Sequence, residues 1–431
     1  MPDSILITLQ GQARGSIRPP GSKSLTNRAL ICAAMAEGVS TLRGVLDSED
    51  TRVMISALQK LGVEISHDVE QSRVHIVGSA GQLTGRDVDI FVANSGTTIR
   101  FLSAMCAAGD GSFRLRGIER MHERPIGDLV EALRQQNVDA IAESPGGCPP
   151  IHIRTSGMAG GTISIRGNMS SQFLSGLLMA GPYCKSNLTL EVQGPLVSQP
   201  YVHMTLEVMR AFGSQVQQDK SSNRYHIPAP TRYTGTDYSI EPDASAASYF
   251  WAAAAITGGE VTVEGLHQDA LQGDVGFVNV LEKMGCEVSF NRSSITVKGR
   301  PLRGIDIDMN PISDTVQTLA AVALFANGKT RVRGVAHNRH KETDRIGDLA
   351  RELRKLGGGV EEHEDGLTIT PVDPANGPSS AAEIEIETYN DHRMAMSLAL
   401  PGLRIPGVKI INPGCTVKTY PNYFVDLATL F

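Results

Sequence analysis

The stretch Val-Leu-Glu-Lys-Met-Gly-Cys-Glu-Val at 280–288 reads as a helix tail, a small residue and a strand, and it returns as Glu-Leu-Arg-Lys-Leu-Gly-Gly-Gly-Val at 352–360. The same pattern occurs three more times, with its small residue at 62, 137 and 213. Glycine or asparagine at this place is typical of a left-handed helix cap. Successive copies lie 72 to 76 residues apart, which predicts a repeated structural unit.

Each predicted unit reads strand–helix–strand–helix–strand–strand. Six predicted strands that end at a glycine or asparagine mark the starts of such units. Only five of the helix tails described above mark their ends. An alternating strand at 5–9 has the pattern needed to complete the sixth unit, which would bring both ends of the chain into one domain. We therefore predict two α/β domains of three units each. The first covers 21–240, and the second combines 1–20 with 241–431.

A further signal is the apolar helix that each unit carries after a polar start. Ser, Thr, Asn and Asp are favoured N-caps, and helices that are apolar all round are buried. A helix N-terminus attracts phosphate and carboxylate groups, so several such starts would form an anion site if equivalent units face one cleft. The six polar starts lie at 22–24, 94–97, 170–172, 243–245, 313–314 and 390–392.

Composition narrows the class of protein. The 431 residues carry a net charge of −6 and are 41% apolar and 20% charged, which favours folded domains and argues against nucleic acid as a partner. The six cysteines form no C-x-x-C pair, a pattern that suits a reducing cytoplasm and favours neither a disulfide framework nor a zinc site. No apolar run is long enough to cross a bilayer, so no membrane partner is expected.

Basic residues accompany several of the helix starts. Lys23 and Arg28 flank the first start, where Gly-Ser-Lys-Ser departs from the P-loop template, so an anion site is favoured over a nucleotide site. Gly96 lets backbone approach a ligand closely at the second start. Ser170 and Ser171 offer adjacent hydroxyls at the third. For each start the plainer interpretation is an ordinary capped helix.

The most informative stretch is Lys-Glu-Thr-Asp-Arg at 341–345. On a helix, Lys341 and Arg345 would share a face, and Glu342 would point elsewhere as an acid or base. The plainer alternative is a solvated helix start with internal ion pairs. Asn-Asp-His-Arg at 390–393 opens an apolar helix in a similar way, and no metal-binding pattern accompanies the histidines.

Together these motifs closely resemble the EPSP synthase family, the 3-phosphoshikimate 1-carboxyvinyltransferases. The resemblance implies a two-domain, inverted α/β barrel-like enolpyruvyl transferase fold with three βαβαββ repeats in each domain. It implies transfer of the enolpyruvyl group of phosphoenolpyruvate to the 5-hydroxyl of 3-phosphoshikimate, in the shikimate pathway to chorismate. No cofactor or metal is implied, and we expect a cytoplasmic protein that acts as a monomer on these two small-molecule substrates. The matching segments are 20–24 with Arg28, 94–100, 123–125, 170–172, 341–345, 390–396 and Lys418.

The resemblance also assigns roles to individual residues, with Asp314, Glu342 and Lys23 as the catalytic group. Asp314 would accept the 5-hydroxyl proton, and Glu342 would protonate the methylene carbon or take part in the other proton transfers. Which of the two makes which proton transfer stays open. The residues implied to bind 3-phosphoshikimate are Lys23, Ser24, Arg28, Ser170, Ser171, Gln172, Ser198, Tyr201, Asp314 and Lys341. Those implied to bind phosphoenolpyruvate are Lys23, Gly96, Arg124, Gln172, Arg345, Arg393 and Lys418.

The chain departs from the family pattern at two places. Many relatives have an asparagine four residues before the lysine of the 341–345 motif, and this chain has His337 there. Asn338 is the next residue. Either of the two could make the phosphate contact assigned to that asparagine. Phe101 replaces a common proline after Arg100. Gly96 is kept, and since bulk at this position would block glyphosate in the family, we predict glyphosate sensitivity.

Two other functions are compatible with parts of the sequence. The sister transferase that acts on UDP-N-acetylglucosamine carries a reactive cysteine in a Pro-Gly-Gly-Cys loop, and 145–148 has the same four residues. Here the loop leads directly into a predicted strand, which disfavours a reactive thiol. A non-catalytic repeat scaffold that binds anions is the second alternative. Asp314 and Glu342 argue against it, because carboxylates among the cations would weaken passive anion binding.

Overall fold

The computed structural model describes residues 2–8, 10–83, 87–219, 221–373 and 383–431. The chain divides into two compact units. We call Gly21–Ile240 the continuous unit, and Met1–Pro20 with Glu241–Phe431 the two-segment unit.

Short strands and helices alternate along both units. The strands are β1 (Ser4–Leu6), β2 (Arg14–Ile17), β3 (Val39–Arg43), β4 (Glu64–Asp68), β5 (Arg73–Val77), β6 (Val88–Phe91), β7 (Asp110–Arg116), β8 (Asp139–Ser144), β9 (Cys148–Ser156), β10 (Gly161–Arg166), β11 (Leu188–Gln193), β12 (Gln217–Asp219), β13 (Arg224–Ile227), β14 (Asp237–Ser239), β15 (Glu260–Glu264), β16 (Glu287–Phe290), β17 (Ser294–Lys298), β18 (Asp306–Asp308), β19 (Thr330–Arg333), β20 (Gly359–His363), β21 (Gly366–Thr370), β22 (Ile384–Ile386) and β23 (Val408–Ile411). The α-helices are α1 (Lys23–Met35), α2 (Glu49–Lys60), α3 (Gly96–Ala108), α4 (Gly127–Arg134), α5 (Ser171–Ala180), α6 (Gln199–Ala211), α7 (Ala244–Thr257), α8 (Phe277–Met284), α9 (Val316–Ala323), α10 (Gly347–Lys355), α11 (His392–Ala399) and α12 (Tyr423–Ala428).

The sheets repeat one topology. In β6-β7-β9-β8 and β10-β11-β13-β12, the first strand pairs in parallel with the second, and the last two strands return antiparallel. The sheet β18-β19-β21-β20 has the same order. Three sheets in each unit confirm the predicted α/β fold of two domains with three repeats each. Five of the sheets have four strands, and β1-β23-β22 has three among the described residues.

The small residues that mark the repeats do what the pattern predicted. All five adopt positive φ, from 60° at Asn137 to 116° at Gly285, so each ends its helix in the left-handed region. Glycine adopts this conformation without a Cβ clash, and asparagine tolerates it better than most residues. The remaining three are Gly62, Gly213 and Gly357.

The N-terminal strands lie in the two-segment unit. β1 pairs antiparallel with β23 and completes the last sheet, as the sequence predicted, although Leu9 lies outside the described residues. An exchange of edge strands was not predicted. β2 precedes α1 in the chain but pairs with β15, and β14 precedes α7 but pairs with β3. Each passage of the chain between units therefore follows directly after an edge strand.

The first helix of each repeat is buried in its unit. In α7, every residue from Ala244 to Ile256 is buried, including Trp251, whose indole donates to the carbonyl of Ile295 at 3.2 Å. Side chains cap five of the six predicted helix starts. These caps are Ser22, Ser95, Ser170, Asp243 and Asp391.

The fifth start departs from the expectation. Residues 313 and 314 lie in a 3₁₀ turn, Asn310–Thr315, and α9 begins at Val316 without a side-chain cap. Asp314 does not cap the helix, because its carboxylate binds basic side chains instead. No helix in the described part of the chain has the length and apolarity to cross a membrane.

Candidate active site

The starts of α1, α3 and α5 carry the first cluster of site residues, within the continuous unit. At α3, Ser95 caps the helix and Gly96 is its first residue. Arg124 is 4% exposed and lies against this start, where its Nη1 donates to the carbonyl and the Oδ1 of Asn94 at 2.9 and 3.0 Å. A Cβ added at Gly96 would overlap Nη2 of Arg124 and lie 2.9 Å from its Cζ. A side chain at this position would therefore require the Arg124 guanidinium to move.

A second arginine beside Gly96 was not among the predicted site residues. Nη1 of Arg100 donates to Oε1 of Gln172 at 2.6 Å, and Nε2 of Gln172 donates to Thr97 Oγ1 at 3.2 Å. A Cβ at Gly96 would lie 3.1 Å from Nη1 of Arg100. Arg100 and Gln172 are 72 residues apart, nearly one repeat, so equivalent helix starts bring them together. The repeat spacing was the signal that could have indicated this pair.

Arg28 is buried deep in the continuous unit. It is 1% exposed, and it donates to Thr205 Oγ1 at 2.7 Å, the Ser24 carbonyl at 2.9 Å and the Tyr201 carbonyl at 3.1 Å. Its guanidinium also stacks 5.2 Å from the ring centre of Phe101. Burial lowers the pKa of Arg28 to about 10, which leaves it charged at neutral pH.

The other predicted residues of this unit also lie at helix starts. Lys23 is the first residue of α1, and its Nζ lies 3.8 Å from Asp50 Oδ2. Ser170 caps α5 by accepting from the Gln172 amide at 3.3 Å, and Ser171 begins that helix. Ser198 precedes α6 in the left-handed conformation, with φ of 52°.

The second cluster lies in the two-segment unit and centres on Asp314. Its Oδ1 is 2.6 Å from Nζ of Lys341 and 3.4 Å from Nη1 of Arg345, and its Oδ2 is 2.7 Å from Nη2 of Arg393. Three cations from two segments, 341–345 and the start of α11, therefore converge on one carboxylate. Burial lowers the pKa of Lys341, although Asp314 opposes this.

Glu342 and Asp391 extend this cluster. Arg345, 1% exposed, contacts Glu342 Oε2 at 2.8 Å and Asp391 at 2.7 and 3.1 Å. Although burial alone would lower it, the pKa of Arg345 is held above its ordinary value by Asp391 and Glu342. Lys418 Nζ lies 3.5 Å from Glu342 Oε1. The sequence identified Asp391 only as a helix start and gave no signal that it pairs with Arg345.

The helical reasoning applied to 341–345 was wrong, although its residues do meet. This segment is irregular, and α10 begins only at Gly347. Lys341 and Arg345 both reach Asp314 without sharing a helix face. Glu342 does not point elsewhere, because it pairs with Arg345. Arg339 and the backbone amides of 346 and 347 bind Asp344, which holds the segment in this shape.

His337 and Asn338, between which the phosphate contact was left open, have different surroundings. Asn338 is fully buried, and its Nδ2 donates to the Ser313 carbonyl at 2.9 Å, next to Asp314. Burial, assisted by Lys341, lowers the pKa of His337 to about 3, so its ring is neutral. Asn338 therefore supports the turn that carries Asp314, and His337 brings no positive charge there.

The surroundings of Cys148 test whether it could serve as the reactive cysteine of the sister transferase. It is 6% exposed and is the first residue of β9, the strand into which the loop was predicted to lead. Burial, with a contribution from Glu123, raises the pKa of its thiol, so the thiolate needed for reaction is disfavoured. Among the described residues, no group of three potential ligands could hold a metal ion.

Solved structures and curated relatives resemble the chain over nearly its full length. An EPSP synthase structure from Acinetobacter baumannii matches with a TM-score of 0.80 and 28% identity, covering 99% of this chain and 97% of the other. The 3-phosphoshikimate 1-carboxyvinyltransferase of Nostoc punctiforme is 47% identical over 95% of this chain and 94% of its own. That of Nitrosomonas europaea is 46% identical over 97% and 96%.

The six repeats and these structural neighbours define the class: the chain has the two-domain α/β fold of the enolpyruvyl transferases. The family profile described as EPSP synthase (3-phosphoshikimate 1-carboxyvinyltransferase) matches residues 7–427. The chain belongs to the EPSP synthase family.

Proposed function

We propose that the two clusters bind the two substrates of enolpyruvyl transfer. The chain transfers the enolpyruvyl group of phosphoenolpyruvate to the 5-hydroxyl of 3-phosphoshikimate, and phosphate leaves. The observation that carries the residue assignment is the set of three cations around Asp314. A passive anion site gains nothing from a carboxylate at its centre, whereas proton transfer requires one.

For 3-phosphoshikimate, we assign the carboxylate to Ser24 and Arg28. Each bond that Arg28 donates goes to a neutral group, and no carboxylate of the described residues forms an ion pair with it. A buried cation without a counter-ion is costly, so an anionic ligand would be favoured beside it. The ring would contact Gln172, Ser198 and Tyr201.

The 3-phosphate is assigned to Ser170, Ser171 and Lys341. Ser170 and Ser171 form the start of α5, where backbone amides and the helix dipole favour a phosphate. Lys341 already contacts Ser313 Oγ at 3.3 Å and Asp314 at 2.6 Å, so its ammonium is oriented before substrate arrives.

For phosphoenolpyruvate, we assign the phosphate to Lys23, Gly96, Arg124 and Lys418, and Gln172 is a further residue that would bind this substrate. Arg345 and Arg393 would bind its carboxylate. Arginine binds planar carboxylates through paired N–H groups, which orients the ligand as well as attracting it.

The reaction requires proton transfer in both directions. Asp314 would accept the 5-hydroxyl proton as the oxygen adds to phosphoenolpyruvate, and Glu342 would protonate the methylene carbon. Elimination of phosphate then requires removal of a proton from the new methyl group. Lys23 would stabilise the negative charge on the departing phosphate.

The direct test is phosphate release with both substrates present and with each omitted in turn. Release should require both phosphoenolpyruvate and 3-phosphoshikimate. Release from phosphoenolpyruvate with UDP-N-acetylglucosamine, and none with 3-phosphoshikimate, would assign the chain to the sister reaction.

Gly96→Ala is expected to raise the KM for phosphoenolpyruvate roughly tenfold and to weaken inhibition by glyphosate. The added methyl group must displace the Arg124 guanidinium, which we assign to the phosphate. Steady-state kinetics with varied phosphoenolpyruvate measures both effects, and the unsubstituted protein should be sensitive to glyphosate. Gly127→Ala is the matched control, since its Cβ would meet nothing closer than 3.6 Å. An unchanged KM in Gly96→Ala would contradict the assignment.

Lys341→Arg is expected to extend activity to higher pH. Burial lowers the pKa of Lys341, so its ammonium loses its proton below the ordinary lysine range, and affinity for 3-phosphoshikimate should fall there. Arginine stays protonated throughout, so the alkaline limb of kcat/KM for this substrate should move upward even if the maximum falls. An alkaline limb at the same pH in both proteins would show that another group titrates.

We also propose that the protein works as a cytoplasmic monomer. The six cysteines are free, buried thiols, which suits a reducing compartment.

A further inference from the structure

A hydrogen-bonded chain of two further side chains reaches Arg393 within the two-segment unit. Ser245, the second residue of α7, contacts the Asp274 carboxylate through its Oγ. The same Oγ lies 3.4 Å from Nη2 of Arg393, which also donates to Asp314 Oδ2 at 2.7 Å. All three residues of this chain, Ser245, Asp274 and Arg393, are 4% to 7% exposed, so water competes little for these bonds.

The direction of these hydrogen bonds is fixed by chemistry. A carboxylate only accepts and a guanidinium only donates, while a serine hydroxyl has one proton and two lone pairs. The Ser245 proton must therefore point to Asp274, which leaves a lone pair for Arg393. Asp274 thus sets the orientation in which Ser245 can hold the arginine.

Asp274 is itself held against the start of α7. It lies in the 3₁₀ turn Gly273–Gly276. Just before this turn, the buried Gln272 accepts from the Ala244 amide at 3.0 Å and donates to the Pro242 carbonyl at 2.6 Å. These bonds connect the turn to the first residue of the helix that carries Ser245. The contact between Asp274 and Ser245 is therefore part of a supported structure.

We propose that Ser245 and Asp274 are positioning residues that hold the Arg393 guanidinium in the orientation that binds the phosphoenolpyruvate carboxylate. The inference rests on the function proposed above for Arg393. Without Ser245, Nη2 loses one of these two acceptors and keeps Asp314. The guanidinium then turns toward Asp314, and its N–H groups no longer face the ligand together.

The test compares S245A, D274N and the double variant by steady-state kinetics. S245A should raise the KM for phosphoenolpyruvate roughly tenfold, the scale of one lost hydrogen bond to a charged group, and leave the KM for 3-phosphoshikimate unchanged. D274N should act in the same direction, because an amide N–H can donate to Ser245 and turn its proton toward Arg393. In the S245A background, D274N should add nothing further. S245T, which keeps the hydroxyl, should restore the KM.

S248A is the matched control. Ser248 is a fully buried serine on the same helix, and it donates to the Ser245 carbonyl at 2.6 Å. Its loss should lower Tm without changing the KM for phosphoenolpyruvate. An equal rise in KM for S248A and S245A, or an unchanged KM in S245A, would overturn the proposal. So would a full effect of D274N in the S245A background, since Asp274 would then not act through Ser245.

R393K separates this inference from the function on which it rests. If R393K leaves the KM for phosphoenolpyruvate unchanged, the assignment of Arg393 itself is wrong. If R393K raises that KM while S245A does not, Arg393 binds the substrate and only the positioning role fails.

Discussion

Asp314→Asn is expected to lower kcat by about 10² to 10⁴-fold, the range that general acid–base groups contribute. Asparagine has nearly the same shape, but it cannot accept the 5-hydroxyl proton. The KM values should change much less, because Lys341, Arg345 and Arg393 remain available to the substrates. Substrate binding to the variant, measured by calorimetry, separates lost chemistry from lost affinity.

The same substitution has a predictable cost in stability. It removes the negative charge that three cations share, and its amide group opposes an N–H of Arg393 or Lys341. Uncompensated buried charge of this kind costs on the order of 3 kcal/mol, so Tm should fall as well. Asp306→Asn is the control, because Asp306 is an exposed carboxylate paired with Arg333. A kcat within a few-fold of the unsubstituted protein would rule out Asp314 as the base.

Glu342→Gln is expected to lower kcat by a similar factor, about 10² to 10⁴-fold, and to change the isotope pattern of the reaction. Addition turns the methylene of phosphoenolpyruvate into a methyl group, and elimination removes one of its protons. In D₂O the unsubstituted protein should therefore place deuterium in the vinyl group of the product. If Glu342 is the acid, the variant should lose this incorporation along with turnover.

Deuterium incorporation also shows which proton transfer Asp314 makes and which Glu342 makes. Incorporation into recovered phosphoenolpyruvate that persists in Glu342→Gln and is absent in Asp314→Asn would reverse the two roles. Glu362→Gln is the control, since Glu362 also pairs with an arginine, Arg339 at 3.0 Å, but outside the cluster. A loss of activity there would indicate that removing any arginine-paired carboxylate disturbs the unit.

The fold was predictable because the repeats carry local signals. A small residue that ends a helix at positive φ can be recognised from its neighbours in the sequence alone. Gly62 and Asn137 could both be identified in this way. The exchanged strands β2 and β14 were missed because they have only four and three residues, too few for a pattern to be distinguished from a loop. Their partners are set by the tertiary structure, which a local pattern does not contain.

The site was predictable in its residue types but less in its contacts. Lysines, arginines and helix starts indicate anion binding locally. The pairing of Arg345 with Asp391, 46 residues away, depends on how two repeats pack. The same holds for Ser245 and Arg393, which are 148 residues apart. Asp314 was given the wrong local structure, because a polar residue before an apolar helix is usually a cap.

The order of strands along the chain has a consequence for biosynthesis. Ser4–Leu6 is made long before its partner Val408–Ile411, which lies about 400 residues further along the chain. At 5 to 20 residues per second, the ribosome needs about 20 to 80 s to supply that partner. Residues 21–240 contain every strand of their own three sheets and can fold during this interval. During translation the continuous unit can therefore fold before β1 is able to pair with β23.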